Sequence, residues 1–155
     1  MRYTLIVSCG ENLGPLFVGL REFPTEKIYI ICPEGMEEKA ENAKKELERF
    51  KIPVVVKYIK GNIWEETFKA VADIKTLEKG KELVVNASMG EVHAGRCSLC
   101  SASFVNGLKA FVVEKDQVEL LPVLHFSYYK VIQDKKMEIL KLLYSDSKCL
   151  SLIHI

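Results

Sequence analysis

The stretch ELVVNASMGEVHAGRCSLCSASFVNG, residues 82–107, contains the pattern that decides the fold. Glu82 to Ala87 is a mostly apolar run with the length of one strand. Ser88 to Gly90 supplies small and flexible residues of the kind that allow a sharp turn. Glu91 to Asn106 then predicts a helix, and Gly107 is placed to end it. A buried strand that turns directly into a helix is the repeating unit of a parallel α/β sheet.

The same alternation of strand and helix extends in both directions from this stretch. Further strands, the last of them a hairpin partner, are predicted at Leu5–Val7, Lys27–Cys32, Ile52–Ile59, Ala110–Val113 and Val118–Leu121. Three further helices are predicted between these strands, because apolar residues recur there at helical spacing. We expect those apolar residues to face the core. They are Leu13, Leu16, Phe17 and Leu20 in the first helix, Met36, Ala40, Ala43, Leu47 and Phe50 in the second, and Trp64, Phe68, Val71 and Ile74 in the third. Pro15 suits the first turn of the first of these helices, and Asn62 suits the N-cap of the third.

Apolar strands joined by helices of about a dozen residues predict right-handed crossovers and a parallel sheet covered on both faces. We therefore predict an α/β fold for residues 1–122, a three-layer Rossmann-like domain. Its sheet is expected to be mostly parallel, with about five or six strands, a strand order of 3-2-1-4-5 and an antiparallel edge hairpin. Residues 123–155 are predicted to form a linker and a C-terminal helix capped by Asp134, which is too little for a second domain.

Composition and charge exclude several classes of protein. With 48% hydrophobic residues in a chain of 155, a substantial core can form, which excludes a disordered protein. The 22 basic and 21 acidic residues leave a net charge of +1, so any anion site must be local. The five cysteines lack a disulfide-scaffold spacing, and no apolar run reaches the ~18 residues of a membrane helix. We therefore expect a reduced, cytoplasmic protein with no membrane partner.

Two predicted loops are candidates for a binding site. Ser8–Gly14 follows the first strand, and Asn86–His93 follows the fourth. In open α/β sheets, ligands bind beyond the carboxyl ends of the strands, where the strand order reverses. Each loop leads into a helix N-terminus, where free backbone N–H groups and the helix dipole favour an anion. Glycine and serine also occur in such turns for purely structural reasons, so both interpretations are open for each loop alone.

Several specific chemistries are disfavoured by the spacing of residues. Neither loop continues into the Gly-Lys-Ser/Thr of a Walker A motif, and Gly10 and Gly14 lack the G-x-G-x-x-G spacing of a dinucleotide site. Cys97 and Cys100 form a C-x-x-C within a helix, without the second pair that a zinc site needs. Cys9 is a possible nucleophile, but no base can be assigned to it, so a small buried side chain is favoured. We expect no cofactor and no metal.

Two side chains of the fourth helix can face the second loop. His93, in the first turn, is a candidate general acid, and Arg96, one turn later, can point back and contact a phosphate. The same helix is rich in alanine, serine and glycine. Such a composition fits close packing within one chain and also fits the close approach of two subunits.

These stretches resemble the CRISPR-associated Rossmann fold (CARF) family. Residues 82–90 are similar to that family's strand-four signature, apolar residues followed by Asn-x-Ser/Thr-Gly-Gly. Residues similar to other parts of these domains are 8–10, 19–22, 27–31, 107–110 and 121–122. The resemblance covers about residues 3–122. It departs from the family at Met89-Gly90, where two glycines are usual, and at Glu91-Val92, where Thr-Lys or Thr-Arg is usual. A carboxylate beside a phosphate is unfavourable unless Glu91 turns away or meets a ribose hydroxyl.

The resemblance implies a ligand and a set of residues that bind it. Family members are typically homodimers that bind a cyclic oligoadenylate across the two-fold axis, with both loops of each subunit taking part. The ligand-binding residues implied here are Ser8, Cys9, Gly10, Glu11, Asn12, Asn86, Ser88, Met89, Gly90, Glu91, His93 and Arg96. Residues 134–143 look like the first helix of the winged helix-turn-helix that follows many of these domains.

The leading hypothesis is therefore a ligand-sensing domain of a CRISPR-associated transcription regulator in antiviral defence. DNA would be a partner only if a winged helix is completed elsewhere. An enzymatic alternative is a metal-independent ring nuclease of the same fold, with His93 as general acid. A third alternative is a structural or interaction protein whose pocket is vestigial.

Overall fold

The strands form where apolar and mostly β-branched residues follow one another. The computed structural model describes residues 1–122, 136, 138–139 and 141–142 of the chain. Its strands and helices, in chain order, are β1 Tyr3–Ser8, α1 Gly14–Glu22, β2 Thr25–Pro33, α2 Glu37–Glu48, β3 Val54–Ile59, α3 Ile63–Leu77, β4 Glu82–Asn86, α4 His93–Val105, β5 Lys109–Glu114 and β6 Gln117–Leu120.

All six strands belong to one sheet with the order β3-β2-β1-β4-β5-β6. The first five strands in that order pair in parallel, and β6 pairs antiparallel with β5. The predicted α/β, Rossmann-like fold with an antiparallel edge is thus confirmed, as is the order of the first five strands.

Two apolar clusters cover the opposite faces of the sheet. Leu5 and Val7 of β1 belong to the cluster that contains Leu16 of α1 and Leu47 of α2. Ile6, which points the other way, belongs to the cluster that contains residues of α3 and α4, namely Ala70, Val71, Ile74, Leu99 and Ala102. Because successive side chains of a strand alternate between faces, this division places one pair of helices on each side of the sheet.

Two aromatic residues that were predicted to face the core are on the surface instead. Phe50 is 59% exposed because α2 ends at Glu48 and the chain turns at Lys51, which has a φ of 59°. Trp64 is 46% exposed, as the second residue of α3, whose buried face is formed by Thr67, Ala70, Val71 and Ile74. Phe68 packs partly buried against the second cluster, in the predicted direction.

The helix starts agree with the sequence except at α4. Asn62 is the N-cap of α3, and its Oδ1 accepts the backbone N–H groups of Trp64 at 2.9 Å and Glu65 at 3.3 Å. Pro15 lies in the first turn of α1. α4 begins at His93 rather than at Glu91, because residues 91 and 92 still belong to the preceding loop.

The chain divides into two compact units, Met1–Leu124 and His125–Ile155. In the second unit the described residues are helical, and they are Lys136, Glu138, Ile139, Lys141 and Leu142. Asp134, predicted to cap this helix, lies outside the described residues, and the domain boundary at residue 122 stays a prediction. Within the described part of the chain, no helix has the length and apolar character needed to cross a membrane.

Candidate ligand-binding site

Two loops leave the sheet side by side at its carboxyl edge. We call residues 9–13 the β1 loop and residues 87–92 the β4 loop. Their strands are parallel neighbours, with Val7 opposite Asn86. β2 lies beyond β1 on one side and β5 lies beyond β4 on the other, so the strand order reverses between the two loops. This is the position where open α/β sheets bind their ligands.

The backbones of the two loops touch at a pair of glycines. A Cβ atom on Gly10 would lie 3.0 Å from the Cα and 3.2 Å from the backbone N of Gly90. Any side chain at position 10 would therefore push the loops apart. The contact makes one continuous surface out of two turns that are 80 residues apart in the chain.

The β4 loop packs against Ser8, which also packs against the first turn of α4. Gly90 has a φ of +122°, and a Cβ there would lie 2.9 Å from both Cβ and Oγ of Ser8. A Cβ on Gly95 would lie 3.0 Å from the same hydroxyl oxygen. The side chain of Ser8 is thus enclosed, and glycine is needed on both sides of it.

The small residues of α4 are used for packing within the chain. The buried residues of this helix are Gly95, Ser98, Leu99, Ala102 and Ser103. Of the two interpretations that the sequence left open, close packing in one subunit accounts for this composition, so the small residues do not by themselves call for a second subunit.

Asn86 and Ser88 hold the β4 loop in place. Asn86 is fully buried; its amide donates to the carbonyl of Pro15 at 3.1 Å and its Oδ1 accepts the N–H of Ser88 at 2.9 Å. The hydroxyl of Ser88 accepts the N–H of Val113 at 2.6 Å. These bonds connect β4 to α1 and β5. The expected contact between the Asn86 side chain and a ligand does not fit this burial, which gives Asn86 a positioning role instead.

Cys9 and Met89 are also enclosed, each with 1% of its surface exposed. Burial raises the pKa of the Cys9 thiol to about 12, with the neighbouring Cys32 adding to the effect. The thiol lies 3.7 Å from the carbonyl of Met36. Cys9 is therefore a protonated thiol at neutral pH, which supports the small buried side chain and not the nucleophile.

Glu91 turns toward the β1 loop and pairs with a lysine of α2. Its Oε1 accepts the backbone N–H of Glu11 at 3.0 Å, and its Oε2 accepts from Nζ of Lys39 at 2.6 Å. Lys39 also lies 3.4 Å from Oε1 of Glu11. The hydrogen bond from Lys39 and then that from the Glu11 amide lower the pKa of Glu91, so it is ionised at neutral pH.

Lys39 is the site residue that the sequence did not single out. It lies in α2 among several other lysines and glutamates, and no motif distinguishes it from them. Only the packing of α2 beside the two loops brings its ammonium group to Glu91.

The two helices that follow the site loops differ in how their first N–H groups are bound. The N-caps of α1 and α4 are Leu13 and Val92, and neither makes a side-chain cap hydrogen bond. Asn12 instead organises the turn, because its Oδ1 accepts the N–H of Gly14 at 3.0 Å. The first N–H groups of a helix have no intrahelical acceptor. In α1 the N–H of Gly14 is bound by Asn12 and Pro15 has no N–H, so α4 is the helix whose first N–H groups lack a side-chain acceptor, among the residues that the structure describes, at this edge of the sheet.

A groove of about 460 Å³ opens beside the β4 loop. Its lining residues are Pro15, Ala87, Ser88, His93, Arg96, Cys97, Cys100, Val112 and Val113. His93 is exposed, and its Nε2 lies 3.6 Å from Sγ of Cys97. The stem of Arg96 lies against Gly90, since a Cβ on that glycine would be 3.3 Å from Cγ of Arg96. Among the described residues, no group of three or more His, Cys, Asp or Glu could hold a metal ion.

The structure thus separates the predicted site residues into two sets. Those with exposed or half-exposed surface are Glu11, Asn12, Ser88, Gly90, Glu91, His93 and Arg96. Those that are buried beneath them are Ser8, Cys9, Gly10, Asn86 and Met89. The first set can meet a ligand, and the second set fixes the shape of the surface that the ligand would meet.

Comparison with families and with curated proteins gives no match to this chain. Solved structures that are similar in fold include the following three. Can2 from Sulfobacillus thermosulfidooxidans, in complex with cyclic tetra-adenylate, matches with a TM-score of 0.62 and 11% identity over 79% of this chain and 37% of Can2. Protein VC1899 from Vibrio cholerae matches with a TM-score of 0.67 and 18% identity over 80% of this chain and 34% of its own.

The third structure is a type III CRISPR defence DNA nuclease activated by cyclic oligoadenylate. It matches with a TM-score of 0.60 and 18% identity over 77% of this chain and 20% of the nuclease. The match thus covers between a fifth and somewhat over a third of the length of these three proteins. At 11–18% identity, the likeness establishes that this chain shares the fold of one part of each of them.

Proposed function

We propose that this chain is a CARF-type sensing domain that binds a cyclic oligoadenylate on the surface formed by the β1 and β4 loops. The observation that carries the proposal is the backbone contact between Gly10 and Gly90 at the reversal of strand order. It merges two turns into one surface, and the β4 loop leads into α4, whose first N–H groups have no side-chain cap. Two of the structural neighbours are described with cyclic oligoadenylates, which supports this choice of ligand.

Two cationic side chains lie at the surface, as the binding of a ring of phosphodiesters requires. The stem of Arg96 lies against Gly90, and the ammonium group of Lys39, from α2, lies where the two loops meet. The two carboxylates at the junction, Glu11 and Glu91, are both within 3.4 Å of Lys39. In the ligand-free chain the carboxylate of Glu91 is bound by Lys39 and by the Glu11 amide.

We further propose that the ligand is bound between two copies of the chain. A cyclic oligoadenylate with an even number of units has two-fold symmetry, and a two-fold dimer would present each loop pair twice to such a ring. Titration calorimetry should then give one ring per two chains, and sedimentation should give the mass of a dimer with the ring bound. A stoichiometry of one ring per chain would contradict the dimer while leaving the binding surface in place.

Arg96 provides the sharpest mutational test of the proposed site. Arg96→Ala should weaken the binding of cyclic tetra-adenylate about tenfold or more, because a charge-assisted bond to phosphate is lost. Arg2→Ala, which removes the same charge from an exposed terminal residue, should leave the affinity unchanged. The measurement is calorimetric titration of both variants and the wild type with cyclic tetra- and hexa-adenylate. Equal affinities for the two variants would contradict the placement of the ligand.

The output of the sensor is proposed to be transcription regulation through a winged helix-turn-helix. The support is the resemblance of residues 134–143 to the first helix of such a module; half of these ten residues lie outside the described part of the chain. DNA would then be bound only by a protein that carries the complete winged helix. In that protein, cyclic tetra-adenylate should change the affinity for promoter DNA, as measured by gel mobility shift.

A ring nuclease is the second candidate, favoured by the exposed position of His93 in the groove next to Arg96. In this reaction a ribose 2′-hydroxyl gives up its proton to solvent water while its oxygen forms a bond to the adjacent phosphorus, and the bond from phosphorus to the 5′-oxygen breaks. His93 would donate a proton to that leaving 5′-oxygen. Linear products that appear with the wild type and are lost in His93→Ala would establish the enzyme.

Binding without cleavage would instead favour the sensor. If neither cyclic tetra-adenylate nor cyclic hexa-adenylate gives heat or a thermal shift, the pocket is vestigial and the protein has a structural or interaction role.

A further inference from the structure

The carboxylate of Glu91 makes the contacts that an anionic ligand would make at the junction of the two loops. One oxygen accepts a backbone N–H, that of Glu11 at 3.0 Å, and the other accepts from an ammonium group, that of Lys39 at 2.6 Å. An amide donor and a lysine on either side of two anionic oxygens form a typical site for a phosphate group.

The position of this contact coincides with the surface assigned above to the ligand. Glu91 directly follows Gly90, and Glu11 directly follows Gly10, so the carboxylate lies where the two loops touch. Lys39 and Glu91 keep 36% and 41% of their side chains exposed. An ion pair exposed to this degree is weak, so an incoming anion can displace the carboxylate.

The net charge of the cluster opposes a second anion while Glu91 remains in place. Lys39 is shared between the carboxylates of Glu91 and Glu11, at 2.6 Å and 3.4 Å, so the three side chains carry a net charge of −1. A phosphate group that replaced the Glu91 carboxylate would contact the same lysine and the same amide donor. The Glu91 carboxylate, which is nearer to Lys39 than that of Glu11 is, would then no longer repel the phosphate at this position.

We infer that Glu91 occupies, in the ligand-free protein, an anion subsite that takes a phosphate group, and that Lys39 is a ligand-binding residue released when Glu91 leaves. This inference rests on the proposed function for the identity of the phosphate group as a phosphodiester of a cyclic oligoadenylate. Glu91 then competes with the ligand from within the chain. Only molecules in which the Glu91 carboxylate has left Lys39 can bind the phosphate group, so the apparent affinity for the ligand is reduced in proportion to their fraction.

The first arm of the test uses inorganic phosphate and the full chain. Glu91→Gln keeps the shape of the side chain and removes its charge, and Glu46→Gln is the matched control at an exposed position of α2. We expect Glu91→Gln to bind phosphate about tenfold more tightly than the control, by thermal shift or by titration of amide resonances. Adding Lys39→Met to Glu91→Gln should abolish that gain.

Three results in this arm would overturn the inference. They are equal phosphate affinity in Glu91→Gln and Glu46→Gln, weaker binding in Glu91→Gln, or a gain that survives the loss of Lys39. Far-ultraviolet circular dichroism of each variant checks that the fold is retained.

The second arm uses cyclic tetra-adenylate and separates this inference from the proposed function. If the wild type binds the ring and Glu91→Gln gains nothing, the inference fails and the proposed function stands. If Glu91→Gln gains phosphate affinity in the first arm and neither protein binds the ring, the anion subsite stands and the assignment to cyclic oligoadenylates fails. If Glu91→Gln binds both phosphate and cyclic tetra-adenylate about tenfold more tightly, the anion subsite and the proposed function are both supported.

Discussion

Individual residues decide how closely the two site loops can approach. Gly10 has no room for a Cβ because the backbone of Gly90 is 3.0 Å from that position, and Gly90 has none because Ser8 fills the space beneath it. Both glycines were predicted as turn residues, but the sequence gives no sign that they touch each other. That contact depends on the parallel pairing of β1 with β4, which is a property of the sheet.

Alanine at position 10 should disturb both stability and binding. Gly10→Ala brings a methyl group against backbone atoms that cannot move independently, so we expect a loss of about 1–3 kcal/mol in the free energy of unfolding, measured in urea, together with weaker ring binding. Gly107→Ala is the control, since nothing lies within 4 Å of its Cβ position and its cost comes from a φ of +65°. Weaker ring binding in the control than in Gly10→Ala would contradict the expectation.

Glu78 provides a prediction about pH that is independent of the ligand. Its carboxylate is 6% exposed and accepts from Lys27 at 2.6 Å and Tyr29 at 2.7 Å, with Lys81 at 3.1 Å on the second oxygen. These donors, led by Lys27, lower the pKa of Glu78 from 4.5 to about 2. A lowered pKa in the folded state means that the stabilisation is complete above pH 4.5 and is lost as the pH falls toward 2.

Glu78→Gln should therefore cost stability at neutral pH and cost progressively less in acid. We expect a loss of about 1–3 kcal/mol at pH 7, because a buried charged acceptor is lost to three donors, of which Tyr29 is itself buried. Glu82→Gln, whose carboxylate is 42% exposed beside Lys109, should change little and serves as control. Urea denaturation of the three proteins at several values of pH gives the result. A constant difference between wild type and Glu78→Gln from pH 7 down to pH 2 would contradict the assignment.

At the scale of elements, the sequence predicted the type and order of the strands and helices better than it predicted where each helix ends and which of its side chains are buried. All ten strands and helices of residues 1–122 were predicted, because apolar runs of strand length alternate with helical spacing. Phe50 was placed in the core because it continues the spacing of α2, yet that helix ends two residues earlier. Trp64 was placed there because it begins the apolar pattern of α3, whose first turn lies outside the buried region. Apolar spacing cannot tell where a helix leaves the sheet.

Capping is the element-scale feature that sequence and structure agree on most clearly. Asn62→Ala removes an acceptor for the N–H groups of Trp64 and Glu65, and we expect a loss of about 1 kcal/mol in the free energy of unfolding. Asn42→Ala changes the same residue type at an exposed position inside α2 and should not destabilise the protein. Urea denaturation distinguishes them, and an equal loss in both variants would refute the capping role.

At the scale of the whole molecule, topology positions the candidate site. The order β3-β2-β1-β4-β5-β6 brings the ends of β1 and β4 together, and this adjacency was predicted from the general order of such sheets. That prediction placed the β1 and β4 loops beside each other at the carboxyl edge of the sheet, where the structure has them. It did not supply Lys39, which reaches the site from α2, nor the burial of Asn86 by α1 and β5, because both depend on how helices pack over the sheet.

The central claim is that the two loops bind one cyclic oligoadenylate together through their backbone donors. The most direct measurement is amide resonance perturbation, or hydrogen exchange, of the full chain on addition of cyclic tetra-adenylate. We expect the amides of residues 10–12 and 90–93 to respond together and to saturate at the same ring concentration, while those of Gly80 and Gly107 do not respond. A response confined to one loop, or no response at either loop, would contradict the claim.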